Sequence, residues 1–137
     1  MAFLPVLSAA GRLATPVQGD QVRVGPFVGY IVHAHDVVDG RFRLHVGAYR
    51  NRATALSQRI PWFLPGTYRV SSVLRVTGRR VGRRRRTFTE TFAEAFAGNR
   101  RDRHVFPSNI EPPAAGCWRL TFRTGRVTGR LTVLLLG

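Results

Sequence analysis

The densest chemistry in this chain lies in eight residues, Arg79-Arg80-Val81-Gly82-Arg83-Arg84-Arg85-Arg86. A guanidinium presents a planar fork of donors that grips phosphate or carboxylate bidentately, and it stays charged at physiological pH. The run from Gly78 to Arg86 reads as a basic hairpin tip. Its arginines, Arg79, Arg80, Arg83, Arg84, Arg85 and Arg86, are the candidate anion- or partner-binding residues. Nucleic acid, teichoic-type polymers, anionic lipid headgroups and an acidic protein surface all offer the matching charge. Arg100, Arg101 and Arg103 extend the patch. The competing reading is a solvated loop in an arginine-biased composition. Sequence-specific DNA reading has no support, because no helix-turn-helix, finger or RNA-binding aromatic motif is visible.

Two other constellations have the residue types for chemistry. His33-Ala34-His35-Asp36 places both imidazoles on one strand face, with His45 on the expected partner strand, and imidazole with carboxylate suits zinc or copper. A His-x-His pair is a weak signal by itself. The inward set Phe42, Leu44 and Val46 turns His45 outward, so surface histidines without a metal are the favoured reading. Glu90 and Glu94 form the close pair of glutamates, and on a helix they would be surface neighbours. No Gly-x-Ser-x-Gly elbow is present, and Cys117 sits in a strand pattern rather than at a helix N-terminus. Phosphate-cradling loop motifs are absent. The expectation is a protein that is not an enzyme, with no cofactor and no metal.

Composition sets the frame for these residues. The 137 residues fit one domain with a real core. All 22 basic residues are arginine, against 7 carboxylates, for a net charge of +15. Part of the arginine bias reads as codon usage in a GC-rich genome. Most arginines lack an internal partner and must face solvent or an anion. The single cysteine, Cys117, excludes an internal disulfide and a multi-cysteine metal site. Alternation sets it opposite Trp118, although a buried, inert thiol is the safer reading. No apolar run approaches the ~20 residues of a membrane span. Residues 1–19 read as an N-terminal arm or as the remnant of a signal peptide, apolar at Met1–Ala10 but without a basic start. Residues 20–137 read as the β domain.

The positioning elements are strands. In Gly116–Thr124, Trp118, Leu120 and Phe122 share one face, while Arg119, Thr121 and Arg123 share the other. After Thr124-Gly125, Val127, Leu131 and Val133 share a face with Gly129, and Thr128, Arg130 and Thr132 lie opposite. This pattern predicts an antiparallel hairpin with one buried face. Gln21–Val24 is a candidate strand ended by Gly25-Pro26, and Asp39-Gly40 predicts a second hairpin. Residues 47–66 read as a long excursion, with one helical turn at Asn51–Ser57 and with Pro61 and Pro65 bracketing Trp62-Phe63-Leu64. Tyr68–Thr77 reads as a strand, Tyr68 being a candidate tyrosine corner. Thr87–Ala97 fits either a capped helix with Phe88, Phe92 and Phe96 on one face or a strand paired back onto Tyr68–Thr77. Hairpin geometry favours a strand at Arg85–Phe92. Residues 98–104 read as a charged loop, and 107–116 as a proline-rich crossing.

Pro107-Ser108 and Pro112-Pro113, leading into Gly116-Cys117-Trp118-Arg119-Leu120-Thr121, resemble the C-terminal signature of uncharacterised bacterial secreted or lipoprotein-type β-sandwich proteins. The match covers roughly Val105 to Leu135, and Ser57–Trp62 with Pro65-Gly66-Thr67-Tyr68 extends it. The resemblance implies a fold and an extracytoplasmic setting, secreted or at the cell surface, and it implies no activity. The expected fold is therefore all-β: a single two-sheet immunoglobulin-like sandwich of about seven strands, with at most one or two short helical turns. The leading functional expectation is a non-catalytic extracytoplasmic module that associates with a protein partner or cell-surface assembly through the arginine-rich hairpin. The alternative is a basic β module that binds nucleic acid or another polyanion.

Overall fold

Period-two alternation of apolar and polar residues runs through most of the chain, and the backbone follows it. The computed structural model describes residues 17–31, 34–45, 58–95 and 102–136, with the backbone alone for residues 17, 18, 34, 58, 59 and 83–85. Among these residues there is no helix and there are eleven strands: β1 (Val17–Gln18), β2 (Gln21–Val24), β3 (Phe27–Tyr30), β4 (Ala34–Val38), β5 (Arg41–His45), β6 (Gln58–Pro65), β7 (Val73–Arg80), β8 (Arg83–Ala93), β9 (Arg103–Ile110), β10 (Gly116–Thr124) and β11 (Val127–Leu136). They form two sheets, ordered β1-β2-β3-β6-β9 and β4-β5-β11-β10-β7-β8. All pairings are antiparallel except β5 with β11, which run parallel.

The inner faces of the two sheets share one core. Val22, Val24, Phe27, Ile60, Trp62, Leu64, Phe106 and Ile110 come from the first sheet. Phe42, Leu44, Leu74, Val76, Trp118, Leu120, Phe122, Leu131, Val133 and Leu135 come from the second. Phe122 is the junction: its ring lies 5.6 Å from Phe27 and 4.5 Å, edge-on, from Trp62. Trp118 is fully buried and meets Phe88 edge-on at 5.3 Å. Trp62 resolves its polar end locally, since its indole N–H donates to Ser108 Oγ (2.9 Å) and that hydroxyl donates to the Ile60 carbonyl (2.7 Å). The sheets approach closely at Gly129, where a Cβ would run into the Val24 carbonyl.

The two anticipated hairpins form, with Phe42 and Leu44 of one and Trp118, Leu120 and Phe122 of the other buried as expected, while Val46 lies outside the described residues. Asp39 and Gly40 both have positive φ (52° and 76°), the two-residue turn whose twist matches its strands. Gly125, at φ 58°, opens the β10–β11 turn, and Thr124 pairs with Val127. The strand alternative also holds for residues 87–93, because β8 pairs along the whole length of β7.

Four expectations are corrected. Eleven strands among the described residues replace about seven. The stretch 58–65 is not excursion but a strand between β3 and β9, in spite of two prolines. Likewise 103–110 is a strand through Pro107, not a loop and a crossing. Pro61 stands directly opposite Pro107. Antiparallel partners alternate between positions that exchange hydrogen bonds and positions that do not, so two residues without N–H groups fit at a position of the second kind. Finally, Tyr68–Ser72 is not a strand. Tyr68 is 40 % exposed, its N–H closes a turn to the Pro65 carbonyl, and the segment is held by Thr124 Oγ1, which accepts from Ser71 N–H at 3.1 Å. The helical turn expected at Asn51–Ser57 lies outside the described residues.

Candidate anion-binding face

Burial of one side of a strand decides what its other side displays. The buried residues include Leu74 and Val76 on β7, Trp118, Leu120, Phe122 and Thr124 on β10, and Leu131, Val133 and Leu135 on β11. Period two therefore turns Arg75, Thr77 and Arg79 outward from β7, Arg119, Thr121 and Arg123 from β10, and Thr128, Arg130 and Thr132 from β11.

Pairing then arranges these residues in rows. Thr87, Arg79, Arg119 and Thr132 make one row across β8, β7, β10 and β11; Thr89, Thr77, Thr121 and Arg130 make the next; Thr91, Arg75, Arg123 and Thr128 make the third. Five arginines thus surround the central pair Thr77 and Thr121, and all five are exposed. Arg79 lies directly opposite Arg119, and Arg75 directly opposite Arg123. Directly opposed residues sit about 5 Å apart at Cβ, so these are like-charge contacts that disfavour the empty face.

No side-chain carboxylate among the described residues relieves them. The seven acidic residues are Asp20, Asp36, Asp39, Glu90, Glu94, Asp102 and Glu111, and none belongs to β7, β10 or β11. Glu90 stands opposite the buried Val76, so it points to the inner side of β8, where it accepts the Glu111 N–H at 3.0 Å. Burial pushes its carboxyl above the ordinary value, with the Glu111 amide opposing and the Glu111 charge adding. Asp36 lies on the far edge strand β4 and is engaged bidentately by Arg43 at 2.7 and 2.8 Å. That bond is the main reason its carboxyl is lowered to about 2, with His45 adding to it and desolvation opposing. Among the described residues, none of the five face arginines joins an ion pair.

Two depressions mark the face. One, of about 440 Å³, is lined by Thr77, Arg79, Arg119, Thr121, Arg130 and Thr132, with Leu120 and Leu131 between them. The second, of about 460 Å³, continues from the shared residues Arg79 and Arg119 to Arg80, Val81 and Gly82. The hairpin tip at Val81-Gly82 is tied back to the sheet by the Val81 N–H, which donates to the Cys117 carbonyl at 2.9 Å.

The arginine run is thus divided by the fold. Arg79 joins the outer face, while Arg80 is half-buried, its guanidinium against Gly116. Arg83, Arg84 and Arg85 begin β8, their side chains lying outside the described residues, and Arg86 is exposed. Arg100 and Arg101 lie outside the described residues. Arg103 stacks over Phe63 at 4.8 Å on the other sheet. Arg75, Arg119, Arg123 and Arg130 were not singled out from the sequence as site residues. Their signal was the Arg-x-Thr-x-Arg spacing of β7 and β10.

The remaining candidates have structural partners. His45 faces Asp36 at 3.5 Å, and His35 Nε2 lies 2.7 Å from the Gly19 carbonyl; His33 is outside the described residues. Among those residues no group of three or more His, Cys, Asp or Glu side chains is placed to hold a metal ion. Glu90 and Glu94 do not share a helix: Glu94 bonds His104 Nδ1 at 2.8 Å, and His104 Nε2 reaches the Tyr68 carbonyl at 3.0 Å. Cys117 is half-buried. No helix among the described residues is long and apolar enough to cross a membrane. A scan against protein-family models found none that matches, and a search of curated proteins found no match.

Proposed function

We propose that this chain is a non-catalytic, extracytoplasmic β-sandwich module that holds an anionic partner against the arginine–threonine face of its six-stranded sheet. The observation that carries the reading is the pair of opposed arginines, Arg79 with Arg119 and Arg75 with Arg123, on strands that bear no carboxylate. Such a face is electrostatically incomplete until an anion neutralises it, and guanidinium forks with hydroxyls between them supply the donors. The partner is a cell-surface polymer or the acidic surface of an assembly. The extracytoplasmic setting rests on the resemblance of Pro107–Thr121 to secreted and lipoprotein-type sandwich proteins.

An immunoglobulin-like relationship is part of the same proposal. The order β11-β10-β7-β8 in one sheet, with β6 and β9 adjacent in the other, follows the arrangement of such sandwiches, in which the last strand neighbours the one before it and the third. The additional strands β1–β5 precede that nucleus.

The test is salt-dependent binding to a panel of anionic polymers, for the native protein and for a variant with Arg75, Arg119, Arg123 and Arg130 all replaced by threonine. Neutralised phosphates release counterions, so native affinity is expected to fall steeply with salt, while the variant melts no lower than the native protein and loses most of the slope. A native protein that binds no member of the panel, or a folded variant that binds like the native chain, sinks the reading.

A further inference from the structure

Resting on the anion-binding reading, we propose that the face takes an acyclic phosphodiester polymer of the alditol-phosphate type, laid along β7 and β10 with successive phosphates on successive rows. The first support is spacing. Side chains on one face of a strand recur every two residues, about 6.7 Å, across six backbone bonds. A phosphodiester chain with three carbons between its oxygens also has six bonds from one phosphorus to the next. Extended alongside β7 and β10, it brings each phosphate to one row. The first row offers Arg79 and Arg119, the middle row offers Arg130 with the hydroxyls of Thr77 and Thr121, and the third offers Arg75 and Arg123. Every row therefore carries at least one guanidinium.

Continuity is the second support. The depression at the middle row and the one at the hairpin tip share Arg79 and Arg119, so a chain that leaves the first row passes on toward Arg80 and Gly82. The third support concerns rings. The outward positions of the three rows hold only arginine and threonine. Single-stranded nucleic acid gains much of its affinity from bases stacked on aromatic side chains, and these rows provide no such plane. A duplex is read by an element that enters a groove, whereas the tip that borders this face is bound back to Cys117. A polymer of phosphates and open carbon chains uses everything the rows provide and needs nothing more.

The probes are synthetic 1,3-glycerol-phosphate oligomers of increasing length, with inorganic polyphosphate and single-stranded DNA of equal charge as comparison arms at one ionic strength. Affinity for the glycerol-phosphate series is expected to rise with each added phosphate until the rows are filled. It should then exceed that for polyphosphate by about tenfold, the worth of one charge-assisted hydrogen bond held in register, and exceed that for DNA, whose backbone shares the six-bond repeat but whose bases find no aromatic plane on these rows. Arg130→Thr, which takes the sole guanidinium from the middle row, is expected to cost the glycerol-phosphate oligomer about tenfold and to narrow its lead over polyphosphate. Arg130→Lys, which retains charge without the fork, should keep the salt slope and lose part of the affinity; it serves also if the threonine variant fails to fold. Equal or tighter binding of DNA or polyphosphate overturns the choice of polymer but leaves an anion-binding face. Absence of binding to all three by the native protein overturns both.

Discussion

Arg79 stands directly opposite Arg119 across the β7–β10 ladder, with no described carboxylate paired to either. Cross-strand neighbours are where a sheet gains or loses side-chain energy, and two like charges in that relation weaken it. The face is thus less stable empty than a threonine-only face on the same backbone would be. Arg119→Thr is expected to raise the melting temperature by about 1–4 °C at low salt, and added salt should shrink that difference by screening the native pair. A variant that melts lower at low salt would contradict the electrostatic account of the face.

Trp118 anchors β10 at full burial beside Phe88, and its indole N–H donates to the Ala114 carbonyl at 3.0 Å. Trp118→Ala removes the ring and leaves a cavity between the sheets, at an expected cost of about 3–5 kcal/mol in denaturant unfolding. Near-native stability would mean that the β10 residues on either side collapse into the space.

Trp62 depends on Ser108 rather than on backbone. Ser108→Ala strands the buried indole N–H and should cost about 1–3 kcal/mol. Combining it with Trp62→Phe removes donor and acceptor together, so the double variant should lose less than the sum of the two single variants. Strict additivity in a double-mutant cycle would argue that the hydrogen bond contributes nothing.

Two carboxyls shape the acid limb of stability in opposite senses. Asp36 is lowered from 3.8 to about 2 by the Arg43 bond. The folded state therefore favours its ionised form, and this contribution is complete above the ordinary value and lost as pH falls from 3.8 through about 2. Glu90 is raised from 4.5 by burial. Its contribution is complete below 4.5 and is lost as pH rises through the elevated value. Asp36→Asn should flatten the loss of stability between pH 4 and 2. Glu90→Gln retains an oxygen for the Glu111 amide, so it should stabilise the protein at neutral pH and change little at pH 4. Chemical denaturation across this range checks both slopes.

Much of the local architecture was legible in the residue order. Strict alternation from Trp118 to Phe122 assigns the buried side of β10 with no knowledge of what covers it, because a strand's side chains have no other period. Asp39-Gly40 and Gly125 mark turns because both need positive φ. The strand over 58–65 was not legible. Pro61 argues against a central strand until Pro107 is found opposite it, in a pairing that needs no N–H from either residue. Tyr68 follows Gly66 at the same offset as Trp118 follows Gly116, but its backbone turns at Pro65 before a strand can begin.

The candidate site divides along the same line. By itself the sequence determined that arginines outnumber carboxylates, that Arg119 and Arg123 flank Thr121 on the polar side of a hairpin, and that a second, basic hairpin turns within Gly78–Arg86. Only the tertiary structure decided that β7, rather than another strand, lies beside β10, and in a register that sets Arg79 against Arg119 and Arg75 against Arg123. Residues 79 and 119 are forty positions apart, and their pairing follows from which apolar faces close the core together. Alternation settles which way a side chain points, but it carries no information about which strand becomes its neighbour.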